Sequence, residues 1–456
     1  MGLLCFEMIH LNKDIFSIPV GGFVGKESDS IRILYSPLAD SLLLASEYDA
    51  QRILDYIDGE DKSSDEEIID AAESLMHTLN AEDAEKVPDL RHVTNLSVMS
   101  NYICNFHCSY CYSAKGRDSK RLEWNKAELV LRWFVSHARF DSGEVPVLSL
   151  FISGGGEPLV TWSDLTKPMI ELARRLSCEQ GIRLRIAIIT NGSLLTDEIA
   201  TFLHDNDCAV GVSFEVLEHL HDRQRAHYHQ VVNALNILRE HNVETRVNCT
   251  ITPMSVDYMA AIVSEIATRW NFIKEFTMEP VTSTDLFASA AQMRQFYDSY
   301  LTNYIESKHV AVTEGVNLRF TYDDVFRGTT VRHCHGKFCL TPMGTISICH
   351  LVTSPKEPRY SHCVYGQVTD EGIRLDENKF SELYKLNILH FEECKHCFAK
   401  WVCGGECLTR RETYPSDYFA ELCRFNKRFL TMQLLKRIEQ NVMDATGLTL
   451  CEYVRQ

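Results

Sequence analysis

Three cysteines in the run CNFHCSYC, Cys104, Cys108 and Cys111, put three soft thiolates on one short segment. That donor set suits iron with sulfide, or zinc. Three ligands leave one position open, whereas a structural zinc site would complete its ligation with a fourth cysteine or histidine; His107 is near but sits between ligands. A second group, Cys334, Cys339, Cys349, Cys363, Cys394, Cys397, Cys403, Cys407 and Cys423, crowds one C-terminal stretch. With 17 cysteines in 456 residues, such clustering points to shared ligation rather than chance. Disulfides would suit a small secreted chain, but this one is long and 45% apolar, and Met1 to Asp14 lacks a basic stretch followed by a long apolar one. Bound metal and a cytoplasmic location are expected. Cys5, Cys178, Cys208, Cys249 and Cys451 fall singly and read as small buried hydrophobes.

The elements that must position these thiols follow from periodicity. Residues 1–90 read as a small separate α+β unit, with strands Ile31 to Tyr35 and Ser41 to Ala45, a helix Tyr48 to Ile57, an acidic stretch Gly59 to Glu67 and a second helix to Leu79. Residues 91–316 alternate strand and helix. Strands are expected at Val93 to Met99, Val147 to Ile152, Leu184 to Ile189, Ala209 to Phe214, Thr245 to Ile251 and Glu275 to Pro280, with helices such as Lys126 to His137, Ser163 to Cys178 and His229 to His241. Six alternations imply an α/β fold with a parallel sheet, open or a partial barrel, with function at the C-terminal strand ends. The alternation stops after Val316. Residues 317–430 are expected to be held by metal rather than by a broad apolar core, and a helix from Cys423 to Asn441 leads into the tail, 431–456. No apolar run approaches the roughly 18 residues of a membrane span. Lys+Arg 46 against Asp+Glu 63 gives −17, which disfavours nucleic acid as a partner.

The three-cysteine spacing after a first strand resembles the radical S-adenosylmethionine (SAM) family, whose fold is a partial (β/α)6 TIM-type barrel. The resemblance implies a 4Fe–4S cluster on Cys104, Cys108 and Cys111, with its unligated iron binding the methionine moiety of SAM. Tyr110 matches the family's aromatic beside the adenine. Gly154, Gly155, Gly156, Glu157 and Pro158, after LSLFIS, match the motif that holds the cofactor's ammonium. Thr190, Asn191 and Gly192, then Ser213 and Glu215, resemble contacts to ribose and carboxylate, although relatives usually carry Asp where Glu215 stands; Arg225 is a further candidate. His219, His221, His227 and His229 read as a polar helix face rather than metal ligands.

The C-terminal spacing is similar to the SPASM extension, a cysteine-rich iron–sulfur domain with two auxiliary 4Fe–4S clusters, which brings the implied total to three. By that resemblance Cys334, Cys339, Cys349 and Cys407 take one cluster, and Cys394, Cys397, Cys403 and Cys423 the other; Gly344 keeps the spacing, and Cys363, before Gly366, is the alternative to Cys339. Residues 1–90 resemble winged-helix leader-peptide recognition domains, with a plain cap as the alternative. The implied activity is peptide maturation: reductive cleavage of SAM to a 5′-deoxyadenosyl radical, then hydrogen abstraction that installs a thioether, carbon to carbon or ether crosslink, or a related oxidation. A precursor peptide and a reducing donor such as flavodoxin or ferredoxin are the expected partners. His350, after Cys349, stands where sulfatase-maturing relatives carry Asp; it is read as a candidate catalytic base or as a histidine packed beside a cluster, and it places formylglycine formation second. An iron–sulfur electron carrier and a zinc-stabilised interaction protein are the readings from other classes.

Overall fold

In the computed structural model the described residues are 9–10, 14–20, 30–76, 87, 89–140, 143, 145–325, 328–334, 336–352 and 354–454. The expectations for Cys5 and for a helix reaching Leu79 lie outside them. Four strands, β1 (Ile9–His10), β2 (Phe16–Pro19), β3 (Ile31–Ser36) and β4 (Ser41–Ser46), form an antiparallel sheet in that order. Helices Glu47–Asp58 and Glu66–Leu75 follow, the first capped by Ser46, whose Oγ accepts from Asp49 N at 3.0 Å, and stopped by Gly59 at φ 79°.

The expected N-terminal unit has its own sheet and shares one face of it with the C-terminal region. One sheet face packs Leu34 against Ile53, Leu54, Ile68 and Leu75 of the two helices, while the other packs Phe16, Ile18, Ile33 and Tyr35 against Phe398, Val402, Leu430, Leu434 and Ile438 near the C-terminus. Asp14 ties the same boundary, accepting from Lys400 Nζ and Trp401 Nε1, each at 2.7 Å. A sheet buried on both faces shares its core with its neighbour, so Leu434→Ala should cost about 2–5 kcal/mol. Faster amide exchange in β2 and β3, with little change in the barrel strands, is the expected reading.

The main sheet starts with β5 (Asn95–Val98), β6 (Val147–Ile152), β7 (Arg183–Thr190), β8 (Cys208–Ser213), β9 (Thr245–Ile251) and β10 (Glu275–Pro280), all parallel. Alternation explains them: in β7, Leu184, Ile186 and Ile188 are buried between less buried neighbours, the mark of a strand with one face on a core. The alternation runs one strand further than expected, because β11 (Leu318–Arg319) pairs in parallel with β10. On the other edge, β12 (Phe338–Leu340) pairs in parallel with β5, and the sheet then turns antiparallel through β13 (Thr345–Ser347), β14 (Val364–Thr369) and β15 (Gly372–Leu375).

This continuation overturns the expectation of a C-terminal region with little apolar core. Phe338, Leu340, Ile346, Tyr365, Phe380, Phe425 and Phe429 belong to the same buried cluster as the barrel residues Leu96, Val98 and Leu150. The expected helix over Cys423 to Asn441 is longer, Ser416–Thr446, beginning after Pro415 and ending at Gly447 with φ 73°. Its Phe425 stacks on Tyr297 of the helix Ala290–Glu314, with ring centroids 4.5 Å apart. Among the described residues no helix is long and apolar enough to cross a membrane.

Candidate functional site

The chain leaves β5 and is at once pinned to the loop that leaves β6. Gly156 N donates to Asn101 O at 2.8 Å and Glu157 N to Ile103 O at 2.7 Å. A Cβ on Gly156 would lie 2.0 Å from Ile103 O, so contact with the cysteine segment by itself requires the glycine. Ser113 Oγ donates to Gly155 O at 2.8 Å and closes the far end of the same clasp.

Cys104, Cys108 and Cys111 line one cavity of about 640 Å³, together with Tyr110, Gly154, Gly155, Gly156, Glu157, Asn191, Ser213 and Arg225. Burial raises the thiol pKa of Cys104 and of Cys108, opposed by the nearby cations Arg117 and Arg225. Arg117, which sequence reasoning missed, donates from Nη2 to Cys111 Sγ at 3.2 Å and from Nη1 to Phe106 O. A cation six residues after Cys111 was its only signal.

Glu157 is buried at 3% exposure, and burial raises its carboxyl above the usual range against three donors. These are Thr190 Oγ1 at 2.6 Å and Leu159 N at 3.0 Å to Oε1, and Asn191 N at 2.8 Å to Oε2. The side-chain amide of Asn191 is likewise engaged, donating to Asn105 Oδ1 at 2.9 Å. The turn after β7 therefore joins the β6 loop to the cysteine segment.

Glu215 stands apart from the other expected cofactor contacts. It is fully buried and does not line the cavity. Its carboxylate accepts from Tyr110 Oη, from Cys249 Sγ at 3.2 Å and from Thr250 N at 3.0 Å, with Arg225 Nη1 3.6 Å away. Arg225 Nη1 donates to Tyr110 Oη at 2.8 Å and its guanidinium lies 5.9 Å from the Tyr110 ring centroid. Tyr110 and Arg225 do line the cavity, and Glu215 holds them from behind. Cys249, read as an unassigned hydrophobe, belongs to this network. The chain turns sharply here: Val216, a β-branched residue, takes φ 64°.

The four histidines do not form one polar face. His221 is fully buried, its Nδ1 accepting from Glu215 N at 3.2 Å. Burial, followed by the Arg225 charge, lowers its pKa to about 3. That lies below an unfolded value of about 6.5, so protons favour the unfolded chain and stability falls as pH drops from about 6.5 towards 3, by at most about 1.4 kcal/mol per pH unit. Thermal midpoints at pH 7 and pH 5.5 should separate more for the native chain than for His221→Asn. Of the lone cysteines, Cys178 and Cys451 are exposed, against expectation, while Cys208 and Cys249 are buried.

The cavity reaches the C-terminal cysteines. Cys334, Cys349, Cys363 and Cys407 line it, as do Lys337, His350, Arg359 and Arg410. Cys339, expected in this set, does not; it is fully buried in β12. Lys337 Nζ lies 2.8 Å from His350 Nδ1, and an ammonium can only donate, so Nδ1 is the acceptor and the ring proton sits on Nε2. Cys394, Cys397, Cys403 and Cys423 lie away from the cavity. Burial above all, then the charges of Glu406, Cys397, Cys423 and Cys394, raises the thiol of Cys403. Arg411 Nη2 donates to Cys394 Sγ at 3.2 Å.

Residues 98–265 match the radical SAM superfamily. The chain is 22% identical over 354 residues to the serine-type anaerobic sulfatase-maturating enzyme of Bacteroides thetaiotaomicron, covering 69% of this chain and 82% of that one. Among solved structures, native anSMEcpe with bound AdoMet and Kp18Cys peptide superposes with a TM-score of 0.60 at 16% identity, over 75% of this chain and 98% of that one. Streptococcus suis SuiB bound to precursor peptide SuiA gives 0.50 at 15% identity, over 85% and 94%. The chain carries a radical SAM domain on an α/β fold with a cysteine-rich C-terminus.

Proposed function

Starting from a radical SAM domain, which makes the chain a radical SAM enzyme, we propose that it is a peptide maturase that oxidatively modifies a ribosomally made precursor, through a thioether, carbon to carbon or ether crosslink or a related oxidation. The observation that carries this reading is the single cavity running from Cys104, Cys108 and Cys111 to Cys334, Cys349, Cys363 and Cys407. In it a substrate would meet the first thiol set at one end and a second set at the other.

The charge of the cavity lining suits the implied groups. Arg117, Arg225, Arg359 and Arg410 all line the cavity, and each has a buried Nε with no hydrogen-bond partner among the described residues. Buried unpaired donors are costly, and anionic groups would satisfy them. Cys104, Cys108 and Cys111 would hold a 4Fe–4S cluster, which together with SAM supplies reductive generation of a 5′-deoxyadenosyl radical. Glu157 and the adjoining backbone would bind the cofactor's ammonium, and Arg225, fixed by Tyr110 and Glu215, would face its carboxylate. Two further 4Fe–4S clusters would occupy the C-terminal thiol sets. The N-terminal sheet, whose edge strands are β1 and β4, would bind a leader by strand addition, and a small electron-transfer protein would supply the reducing electron.

Formylglycine formation is the second reading, favoured by the sulfatase-maturating relatives. It needs a base beside the cavity-facing thiol set. His350 offers an N–H there rather than a free acceptor while Lys337 occupies Nδ1. Anaerobic reconstitution with iron and sulfide, followed by dithionite and SAM, should yield 5′-deoxyadenosine; none at all would sink the enzyme reading. A sulfatase-motif peptide should release 5′-deoxyadenosine without the mass loss of an aldehyde, and robust aldehyde formation would reverse the order of the two readings.

A further inference from the structure

We infer that the cavity-facing auxiliary cluster is held by Cys334, Cys349, Cys363 and Cys407, with Cys363 as its fourth thiolate and Cys339 as a strand residue outside the ligand set. This rests on the iron–sulfur reading above and names the thiols that reading would employ. All four residues line the cavity and Cys339 does not.

Backbone contacts bring Cys363 to the other ligand segments. Ile348 N, one residue before Cys349, donates to Cys363 O at 2.9 Å. Cys363 ends the short helix Tyr360–Cys363, which Arg359 opens with φ 75°. Arg359 Nη1 donates to Leu408 O at 3.2 Å, one residue after Cys407, and so ties that helix to the Cys407 segment. The Arg359 side chain is only 10% exposed, yet its Nε has no hydrogen-bond partner among the described residues. The same holds for the buried Nε of Arg410, three residues beyond Cys407. Both guanidiniums are paired through their Nη atoms, Arg359 with Glu412 and Arg410 with Glu406, and the two Nε donors left over suit a sulfur-rich anionic group between the four thiols.

Cys339 is held differently. It sits in the middle of β12 between Ser97 of β5 and Ser347 of β13, in register with both. A buried thiol in a strand behaves as a small apolar side chain.

The test uses the full chain, reconstituted anaerobically, with iron and acid-labile sulfide counted per chain and the reduced protein examined by electron paramagnetic resonance. Cys339→Ala should keep the native iron content and spectrum. Cys363→Ala should lose up to roughly a third of the iron, about one cluster in three, or keep it with altered signals from one cluster. Cys363→Ser, which retains an oxygen ligand and the side-chain volume, covers the case of a Cys363→Ala protein that does not fold; it should stay iron-loaded with one cluster's signals shifted. Loss or alteration confined to the Cys339 variant, or affecting both positions equally, would overturn the assignment. Failure of the iron–sulfur reading itself is a separate result, visible as a native chain that takes up little iron or sulfide.

Discussion

Alanine at Gly156 should leave the first cysteine segment without its iron and stop 5′-deoxyadenosine formation, although the added group is one methyl. Its Cβ would sit 2.0 Å from Ile103 O and 2.4 Å from Asn101 Oδ1, and both neighbours are fixed. Asn101 Oδ1 accepts from Ile103 N at 2.8 Å, and its Nδ2 donates to Glu157 O at 3.0 Å. To make room the two backbone bonds of the clasp must open, at about 1 kcal/mol each, on top of about 1–3 kcal/mol for overpacking. A variant that folds should bind roughly a third less iron than the native protein, since the C-terminal thiols are untouched. Native iron content and native cofactor cleavage in Gly156→Ala would show that the clasp does not govern the segment.

The second large effect is expected at Glu215. Glu215→Ala would strand the Arg225 guanidinium, only 9% exposed, and leave Tyr110 Oη, Cys249 Sγ and Thr250 N without their acceptor. Breaking a buried pair from one side costs about 3–5 kcal/mol. The substitution should also weaken SAM binding by at least about tenfold, or about 1.4 kcal/mol, because Tyr110 and Arg225 lose their orientation. Equilibrium dialysis with SAM, alongside thermal midpoints for Glu215→Ala and Glu215→Gln, separates the two effects. Gln keeps an acceptor without the charge and should fall between the native chain and Ala. A Glu215→Ala protein of native stability and native SAM affinity would refute the positioning role.

The barrel was readable because its strands alternate cleanly: Val147–Ile152, Thr245–Ile251 and Glu275–Pro280 have the expected bounds. The helix expected from Ser163 to Cys178 is instead a π-helical turn, Trp162–Thr166, leading into Lys167–Glu179, with Pro168 at the start of the latter. The apolar C-terminal core escaped detection because β12 and β13 are three residues each, too short for periodicity to register. At the site, cysteine spacing picked out Cys104, Cys108, Cys111, Cys334, Cys349 and Cys407, all of which line the cavity, but it put Cys339 ahead of Cys363. It did not find that Glu215 faces protein, that His221 is buried, or that Lys337 meets His350. Those facts depend on residues distant in sequence, such as Tyr110 and Cys249 around Glu215.

The first barrel strand has one consequence for truncation. β5 is bonded on one side to β6 and on the other to β12, and Met99 N extends the second ladder to Leu340 O at 2.9 Å. Excising everything after Arg319 would bare a row of amide and carbonyl groups on a strand whose Leu96 and Val98 are fully buried. Such an edge recruits another chain. The cysteine-rich extension thus supplies the eighth parallel strand of this sheet, and a truncated chain would have to cover that edge in some other way.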